Sequence, residues 1–260
     1  MRYGPAMTAE QEDDTAFFGD RVVPKAAKAG LVHGVFAKVA PRYDLMNDLM
    51  SMGIHRLWKT ALIDWLNPRP PMRLLDVAGG TGDIAFRFLE RAPAAKGGRV
   101  DLLDINEEMV RVGRERAIDR GLLGGISFTV GDAEKLPFAD GAVDAYTIAF
   151  GIRNVTDIPA ALREARRVLR PGGHFLCLEF SRVTQPGLAG LYDLYSRSIL
   201  PGLGAVVAGD AGPYRYLAES IRRFPDAETF AEMIAGAGLG NVRVRRLSGG
   251  IVALHSAWRI

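Results

Sequence analysis

Short runs of apolar residues recur through the middle of the chain at spacings typical of strands. Each run is apolar at consecutive positions rather than at alternate ones, which indicates strands buried on both faces, as in a parallel sheet. Clusters of glycine, proline and polar residues separate the runs. The five runs predicted to be strands are 74–77, 99–104, 126–130, 142–150 and 174–180.

Helical spacing fills the intervals between these strands. One helix is predicted over about 82–91, and another begins at Glu107 and Glu108, where negative charge suits the helix dipole. A third runs over about 158–169 and stops at the Arg-Pro-Gly-Gly turn of residues 170–173. Alternating strands and helices predict the α/β class, with a doubly wound and mostly parallel sheet.

The two ends of the chain complete this prediction. Residues 1 to about 30 are polar and mixed in charge, so we expect a loose N-terminus. Apolar positions over 45–66 recur near helical spacing and predict helices before the first strand. The alternation breaks over about 183–224, which is interpreted as a helical insertion after the fifth strand. A helix over about 227–237 and strands over 242–247 and 251–258, the second antiparallel, complete a seven-stranded sheet in a single domain, 1–260.

Composition narrows the classes of function. The 260-residue chain has a net charge of only +3 and no basic run, which argues against a nucleic-acid partner. Cys177 is the single cysteine, so a reducing compartment is expected and, with scattered histidines, no metal site. The N-terminus lacks a signal-peptide core, and the lipid-like stretch 199–208 is too short to span a bilayer. We therefore expect a cytoplasmic protein, with peripheral contact at the inner face of the membrane left open.

The turn after the first predicted strand is the centre of this arrangement. Gly79, Gly80 and Gly82 have no Cβ, so they allow positive φ and close approach of a ligand to the backbone. The first amides of the following helix are unpaired and favour a polar or anionic group. A tight turn that binds nothing is the alternative, and residues 80–85 also satisfy the G-x-G-x-x-A dinucleotide pattern. The turn alone leaves its ligand open.

Polar residues after the next three strands indicate which ligand the glycine turn binds. Asp104 ends the second strand, where a carboxylate of a doubly wound fold accepts hydrogen bonds from ribose hydroxyls. Asp132 and Ala133 follow the third strand and suit an adenine amino group and ring. Arg153 and Asn154 follow the fourth strand, at the edge where open α/β sheets bind ligands. An ordinary surface arginine is the alternative for Arg153.

In this order, the glycine turn, Asp104, Asp132 and the 170–173 turn resemble a class I S-adenosylmethionine-dependent methyltransferase over most of residues 72–181. A nicotinamide-dependent dehydrogenase is the runner-up, but it leaves Asp132 and its neighbour unexplained, and a Tyr-x-x-x-Lys pair is absent. The turn of the methyltransferases is commonly Asp-x-Gly-x-Gly-x-Gly. Ala78 replaces its first glycine with a small methyl group.

Motifs outside this generic core carry a more specific resemblance. From about Phe17 onward the chain is similar to the ubiquinone/menaquinone-biosynthesis C-methyltransferase family. These motifs are typical of that family rather than of methyltransferases in general. They are residues 35–48, 51–59, 78–83, 150–155 and 178–181.

The resemblance implies S-adenosylmethionine as cofactor and a polyprenylated quinol as substrate. The implied reaction methylates a ring carbon of 2-methoxy-6-polyprenyl-1,4-benzoquinol, of demethylmenaquinol, or of both, since an electron-rich carbon must attack the methyl. Ala149 stands where relatives usually carry serine, so no side-chain hydrogen bond is expected there. Carried over by motif, the cofactor contacts are Thr81, Asp104, Asp132, Ala133 and Ala149, beside the glycine turn.

The expected catalytic groups are Arg153, Asn154 and Tyr43. Loss of a phenolic proton makes the ortho carbon nucleophilic, and Arg153 would stabilise the oxyanion or polarise a water that takes the proton. Asn154 would orient the ring or that water, and Tyr43 would close the pocket from the N-terminal side. An O-methyltransferase of a related quinol and a non-catalytic scaffold in a quinone-synthesis complex are the alternatives.

The apolar residues of the insertion, 183–224, are expected to cover the substrate site and to take the isoprenoid tail. Packing against the core, or contact with a second copy in a homodimer, is an alternative of equal weight. The sequence leaves the choice between benzoquinol and naphthoquinol open, together with the length of the tail.

Overall fold

The computed structural model describes residues 14–39, 53–183 and 212–260, together with the single positions Asp48, Ser51 and Gly187. Strands and helices alternate through this part of the chain. The strands are β1 (Thr15–Phe18), β2 (Arg21–Pro24), β3 (Arg73–Val77), β4 (Arg99–Asp104), β5 (Ile126–Val130), β6 (Val143–Ala149), β7 (Leu169–Phe180), β8 (Gly240–Leu247) and β9 (Val252–Trp258). The helices are α1 (Lys25–Val39), α2 (His55–Leu66), α3 (Asp83–Arg91), α4 (Glu107–Asp119), α5 (Ile158–Val168), α6 (Gly212–Arg223) and α7 (Ala227–Gly236).

Strands β3 to β9 form one sheet in the order β5-β4-β3-β6-β7-β9-β8. The first five of these lie parallel to one another, and β9 is antiparallel to both of its neighbours. The predicted doubly wound, mostly parallel, seven-stranded sheet is therefore confirmed, including the antiparallel last strand. Strand β7 begins earlier than predicted because Leu169 already pairs with Val143, before the register shifts and His174 pairs with Ala145.

Each face of the sheet carries its own hydrophobic core. Successive side chains of a strand point to opposite faces, so Leu74 packs with residues of α2 and α3, and Leu75 packs with residues of α5 and α7. Residues of β7 divide in the same way, with Leu176 on the first side and Cys177 on the second. Because helices cover both faces, the strands are apolar at consecutive positions, as the sequence indicates.

The parallel register brings the carboxyl ends of four strands to one edge of the sheet. Val77 of β3 pairs with Leu103 and Ile148, and Ala149 pairs with Leu178 of β7. The glycine turn, Asp104, the loop after β5 and the turn after β6 consequently meet there. This edge is where the candidate functional residues lie.

The N-terminal segment departs from the prediction. The expectation of a loose segment up to about residue 30 is wrong for residues 15–30, because β1 and β2 form an antiparallel hairpin and α1 follows directly. Val23 is buried, and the ring of Phe18 stacks on Tyr216 of α6 at 4.4 Å between centroids. A few apolar side chains in a polar segment anchor the hairpin, which composition alone does not reveal.

Parts of the prediction fall outside the described residues. Tyr43 and most of the insertion, 183–224, lie there; its end is helical as predicted, in α6. Helix α2 confirms the helical spacing before the first strand of the large sheet. In the part of the chain that the structure describes, no helix combines the length and the apolar character needed to cross a bilayer.

Candidate active site

Two cavities open at the carboxyl edge of the sheet and share Ala78 and Phe150 in their walls. The larger cavity follows the ends of β4 and β5 and the loop after β6. The smaller cavity lies over the end of β3 and the start of α3. Predicted site residues in the larger cavity are Gly80, Asp104, Asp132, Ala133 and Asn154, and those in the smaller cavity are Gly79, Thr81 and Ala149.

Two of the three glycines of this turn, Gly80 and Gly82, have the positive φ that the sequence allows, and Gly79 does not. Gly80 has a φ of 55°, and its amide donates a hydrogen bond to Asp104 Oδ2 at 2.9 Å. Gly82 lies in neither cavity wall and is instead the N-cap residue directly before α3, with a φ of 91°. Ala78, in place of the first glycine, has a φ of 50°. The alanine thus takes a left-handed conformation that glycine adopts without strain, at a cost of about 1 kcal/mol.

Asp104 is almost fully buried at the end of β4. Its Oδ2 accepts from the Gly80 amide, and its Oδ1 accepts from the Asn106 amide at 2.8 Å. Burial raises the pKa of this carboxyl, and the two amide hydrogen bonds oppose the rise. Each carboxylate oxygen has two lone pairs, so both retain capacity for a hydroxyl of a ligand.

Asp132 and Ala133 form the floor of the larger cavity after β5. Asp132 Oδ1 accepts a hydrogen bond from the Glu134 amide at 2.9 Å, which fixes the turn that follows the strand. Ala133 is buried and presents a methyl group to the same cavity. A polar edge beside a small apolar surface suits a flat heterocycle with an exocyclic amino group.

Asp76 is a fully buried carboxylate in the wall of the smaller cavity. Thr147 donates to its Oδ1 at 2.8 Å, while its Oδ2 has no hydrogen-bond partner in the described chain. Burial raises the pKa of Asp76 to about 7. Lys59 lines the same cavity, with its Nζ 2.9 Å from Asp83 Oδ2. An incompletely bonded carboxylate near an ammonium suits a zwitterionic ligand.

Arg153 is buried, so the alternative of an ordinary surface arginine is wrong. Its Nη1 donates to Glu179 Oε1 at 2.8 Å and to the Phe150 carbonyl at 2.5 Å. Its side chain lines a third cavity, which we call the hairpin cavity, together with Phe17, Lys28 and Tyr216 rather than the larger cavity.

Asn154 follows directly and lies in the wall of the larger cavity. Its Oδ1 accepts a hydrogen bond from Tyr216 of α6 at 3.0 Å. The structure therefore places the two neighbours Arg153 and Asn154 on different cavities at the same edge. Tyr43, the third predicted catalytic residue, lies outside the described residues.

Sequence reasoning gave no role to three buried charged residues at this edge: Asp76, Lys59 and Glu179. Asp76 and Glu179 each interrupt an apolar run, 74–77 in β3 and 175–180 in β7. An acid at such a position is buried at high cost unless it has partners, and this anomaly is a usable signal. Lys59 gives no comparable signal, because its helix also carries exposed polar residues.

The sheet order and the ligand-binding edge are those of the class I methyltransferase fold, whose solved members include S-adenosylmethionine-dependent methyltransferases. One from Thermotoga maritima, described as a possible histamine N-methyltransferase, superposes with a TM-score of 0.61 at 19% identity, covering 87% of this chain and 99% of that one. One from Aquifex aeolicus has a TM-score of 0.57 at 18% identity, covering 78% and 89%. At such identities the likeness establishes the fold.

The chain belongs to the ubiE/COQ5 methyltransferase family, whose sequence model matches residues 23–259. The "Ubiquinone/menaquinone biosynthesis C-methyltransferase UbiE" of Paracoccus denitrificans is 58% identical over 254 residues, 98% of this chain and 100% of the relative. The protein of the same name from Nitrobacter hamburgensis is also 58% identical over 254 residues, 96% and 100%. The expected family is confirmed, and with it an S-adenosylmethionine-dependent methyltransferase.

We expect replacement of Asp104 by Asn to weaken binding of S-adenosylmethionine. The amide loses the negative charge and places an NH₂ group beside the Gly80 or Asn106 amide, so the dissociation constant should rise about tenfold to a hundredfold. Isothermal titration calorimetry measures this change directly. Asp101→Asn is the matched control, because Asp101 lies on the same strand but pairs with Arg73 at the opposite end. Equal weakening in both variants would contradict the assignment.

Asp76 predicts a pH dependence of folding stability. Its folded-state pKa of about 7 exceeds the ordinary value of 3.8, so between these values the folded state holds a proton that the unfolded state has lost. This contribution is fully present below pH 4 and disappears as the pH rises through 7. Relative to Asp76→Asn, the cofactor-free wild type should lose about 1.4 kcal/mol of unfolding free energy per pH unit between pH 5 and 7. Urea unfolding across this range tests the difference; parallel curves would refute it.

Proposed function

We propose that the protein transfers a methyl group from S-adenosylmethionine to a ring carbon of a polyprenylated quinol in ubiquinone or menaquinone biosynthesis. The substrate would be 2-methoxy-6-polyprenyl-1,4-benzoquinol, demethylmenaquinol or both. The observation that carries the proposal is identity of 54–58% over nearly the full length to proteins named ubiquinone/menaquinone biosynthesis C-methyltransferase. The buried guanidinium of Arg153 at the carboxyl edge of the sheet also supports the proposal, because a positive charge there can stabilise a phenolate.

The residues of the two adjoining cavities fit the cofactor. Asp104 has free lone pairs for ribose hydroxyls, and Asp132 with Ala133 suits the adenine amino group and ring. The unpartnered Oδ2 of Asp76 suits the ammonium of the methionine part, with Lys59 as the opposite charge for its carboxylate. When bound, S-adenosylmethionine supplies an electrophilic methyl group on a sulfonium.

The protein's chemical task is then to make the ring carbon nucleophilic. A phenol in water titrates near pH 10, so at neutral pH the site must stabilise the phenolate or provide a proton acceptor. The guanidinium of Arg153 is held in place by Glu179 and the Phe150 carbonyl. It is therefore suited to stabilise the oxyanion. Asn154, which accepts from Tyr216, would orient the ring or a water, and Tyr43 would close the pocket.

The remaining features of the proposal are supported by the sequence pattern alone. The apolar residues of the insertion would take the isoprenoid tail or join two copies into a homodimer. A substrate with such a tail resides in lipid, so a cytoplasmic protein would meet it at the inner face of the membrane. The whole chain, 1–260, would act as a single methyltransferase domain.

Transfer of a labelled methyl group tests the function. The purified protein is incubated with methyl-labelled S-adenosylmethionine and each reduced quinone precursor, and the position of the new methyl is determined by mass spectrometry. We expect the label on a ring carbon. Label on oxygen would favour an O-methyltransferase of a related quinol. Cofactor binding without any transfer would favour a non-catalytic scaffold, and either result overturns the proposal.

Replacement of Arg153 by Lys tests the proposed stabilisation of the oxyanion. Lysine keeps the charge but lacks the planar fork, so kcat should fall about tenfold to a hundredfold, while the dissociation constant of S-adenosylmethionine stays within about twofold. Calorimetry and the methyl-transfer assay measure the two quantities. Arg163→Lys, at an exposed position of α5, is the control and should leave both unchanged. Equal loss of cofactor affinity and turnover would remove Arg153 from this role.

A further inference from the structure

Glu179 and Arg153 meet at the ends of two neighbouring parallel strands. Ala149 of β6 pairs with Leu178 of β7, so the residues that follow these positions leave the sheet side by side. Arg153 lies in the single helical turn after β6, and Glu179 is the second-to-last residue of β7. The strand register therefore determines which side chains face each other.

The carboxylate of Glu179 is held from both strands. Its Oε1 accepts from the Phe180 amide at 2.9 Å and from Arg153 Nη1 at 2.8 Å, while its Oε2 lies 3.4 Å from the Arg153 amide. Burial raises the pKa of Glu179, and the nearby guanidinium opposes the rise. One carboxylate thus binds both the backbone and the side chain of Arg153.

Both members of the pair are buried, with 3% of the Arg153 side chain and 1% of the Glu179 side chain exposed. Burial of two charges costs free energy that their attraction often fails to recover. Two well-packed apolar residues in place of the pair would therefore stabilise the fold at least as much. The pair lies at the ligand-binding edge of the sheet rather than at its centre. These observations favour a use for the charge of Arg153 over a purely structural role.

The pair leaves one edge of the guanidinium without a partner. Nη1 is occupied by Glu179 and the Phe150 carbonyl, whereas the buried Nε has no hydrogen-bond partner in the described chain. An unsatisfied buried donor is costly and indicates a partner that is present during function. A phenolate oxygen is an acceptor of the required kind.

We propose that Glu179 is a positioning residue for methyl transfer: by holding Nη1 of Arg153 it fixes the orientation in which the guanidinium lines the hairpin cavity and meets the oxygen of the quinol substrate. The inference rests on the proposed function and adds to it one residue, Glu179, which acts through Arg153. Because the two strand ends fix Glu179, the guanidinium is oriented before the substrate arrives. Such preorganisation lowers the barrier without reorganisation during the reaction.

Glu179→Gln is the principal test. The amide has the same shape and can still accept one hydrogen bond, but it lacks the charge that holds the guanidinium. We expect kcat to fall about tenfold or more. The KM for the quinol and the dissociation constant of S-adenosylmethionine should stay within about twofold, because Glu179 lies in the wall of neither cofactor cavity.

Glu164→Gln is the matched control. Glu164 also carries a carboxylate that binds an arginine, Arg167 at 2.6 Å, but it lies on α5 away from the cavities. The two variants make the same chemical change, and each removes one ion pair. We expect Glu164→Gln to lower thermal stability without changing kcat at a temperature where the protein is folded.

A double-mutant cycle separates positioning from a structural role. If Glu179 acts through Arg153, Glu179→Gln should lower kcat strongly in the wild type and by less than about twofold in the Arg153→Lys background. A structural contribution would instead lower kcat by the same factor in both backgrounds. If Glu179→Gln fails to fold, Glu179→Asp, which is too short to reach Nη1 in the same geometry, replaces it in the cycle.

The outcomes distinguish this inference from the proposed function. If the wild type transfers no methyl to either quinol, the proposed function fails. If the wild type is active and Glu179→Gln retains its kcat, or loses it equally in both backgrounds, the positioning role is overturned while the function stands. Loss of cofactor affinity in parallel with kcat would also overturn it.

Discussion

The parallel register of β3, β4, β6 and β7 is the constraint on which the candidate site depends. It places the ends of these strands at one edge, where backbone amides and carbonyls no longer pair within the sheet. Polar side chains that are far apart in the sequence meet there. Asp76 and Glu179 are separated by more than one hundred residues, yet they belong to strands with a single strand between them.

Three carboxylates at this edge differ in how completely the protein compensates their burial. Glu179 is bound by two backbone amides and a guanidinium, Asp104 by two amides, and Asp76 by a single hydroxyl. Burial raises the pKa of all three. The least compensated carboxylate is the one best suited to a cationic ligand, and the most compensated is the one best suited to hold another side chain. This ranking of the three carboxylates follows from the number of hydrogen bonds that each accepts, not from whether the residue is Asp or Glu.

The strands and the acids Asp104 and Asp132 could be predicted from the sequence because both leave local signals, whereas Asp76 and Glu179 were assigned no role. Runs buried on two faces are apolar at consecutive positions, and an acid that ends such a run is conspicuous, as at Asp104. The burial of Arg153 could not be predicted, since it depends on Glu179, 26 residues away on another strand. The N-terminal hairpin cannot be predicted for a similar reason: Phe18 stacks on Tyr216, which lies about two hundred residues away in the sequence.

The methyl group of Ala78 shows how one position of the site depends on another. A Cβ on Gly151 would lie 2.4 Å from the Cβ of Ala78, so the methyl at one position requires glycine at the other. Ala78 and Phe150 both have positive φ, 50° and 58°, and both line the two cavities where these adjoin. Non-glycine residues in this region are strained and persist only where surrounding contacts hold them. The strain therefore lies in the wall shared by the two cavities that are proposed to hold the parts of one cofactor.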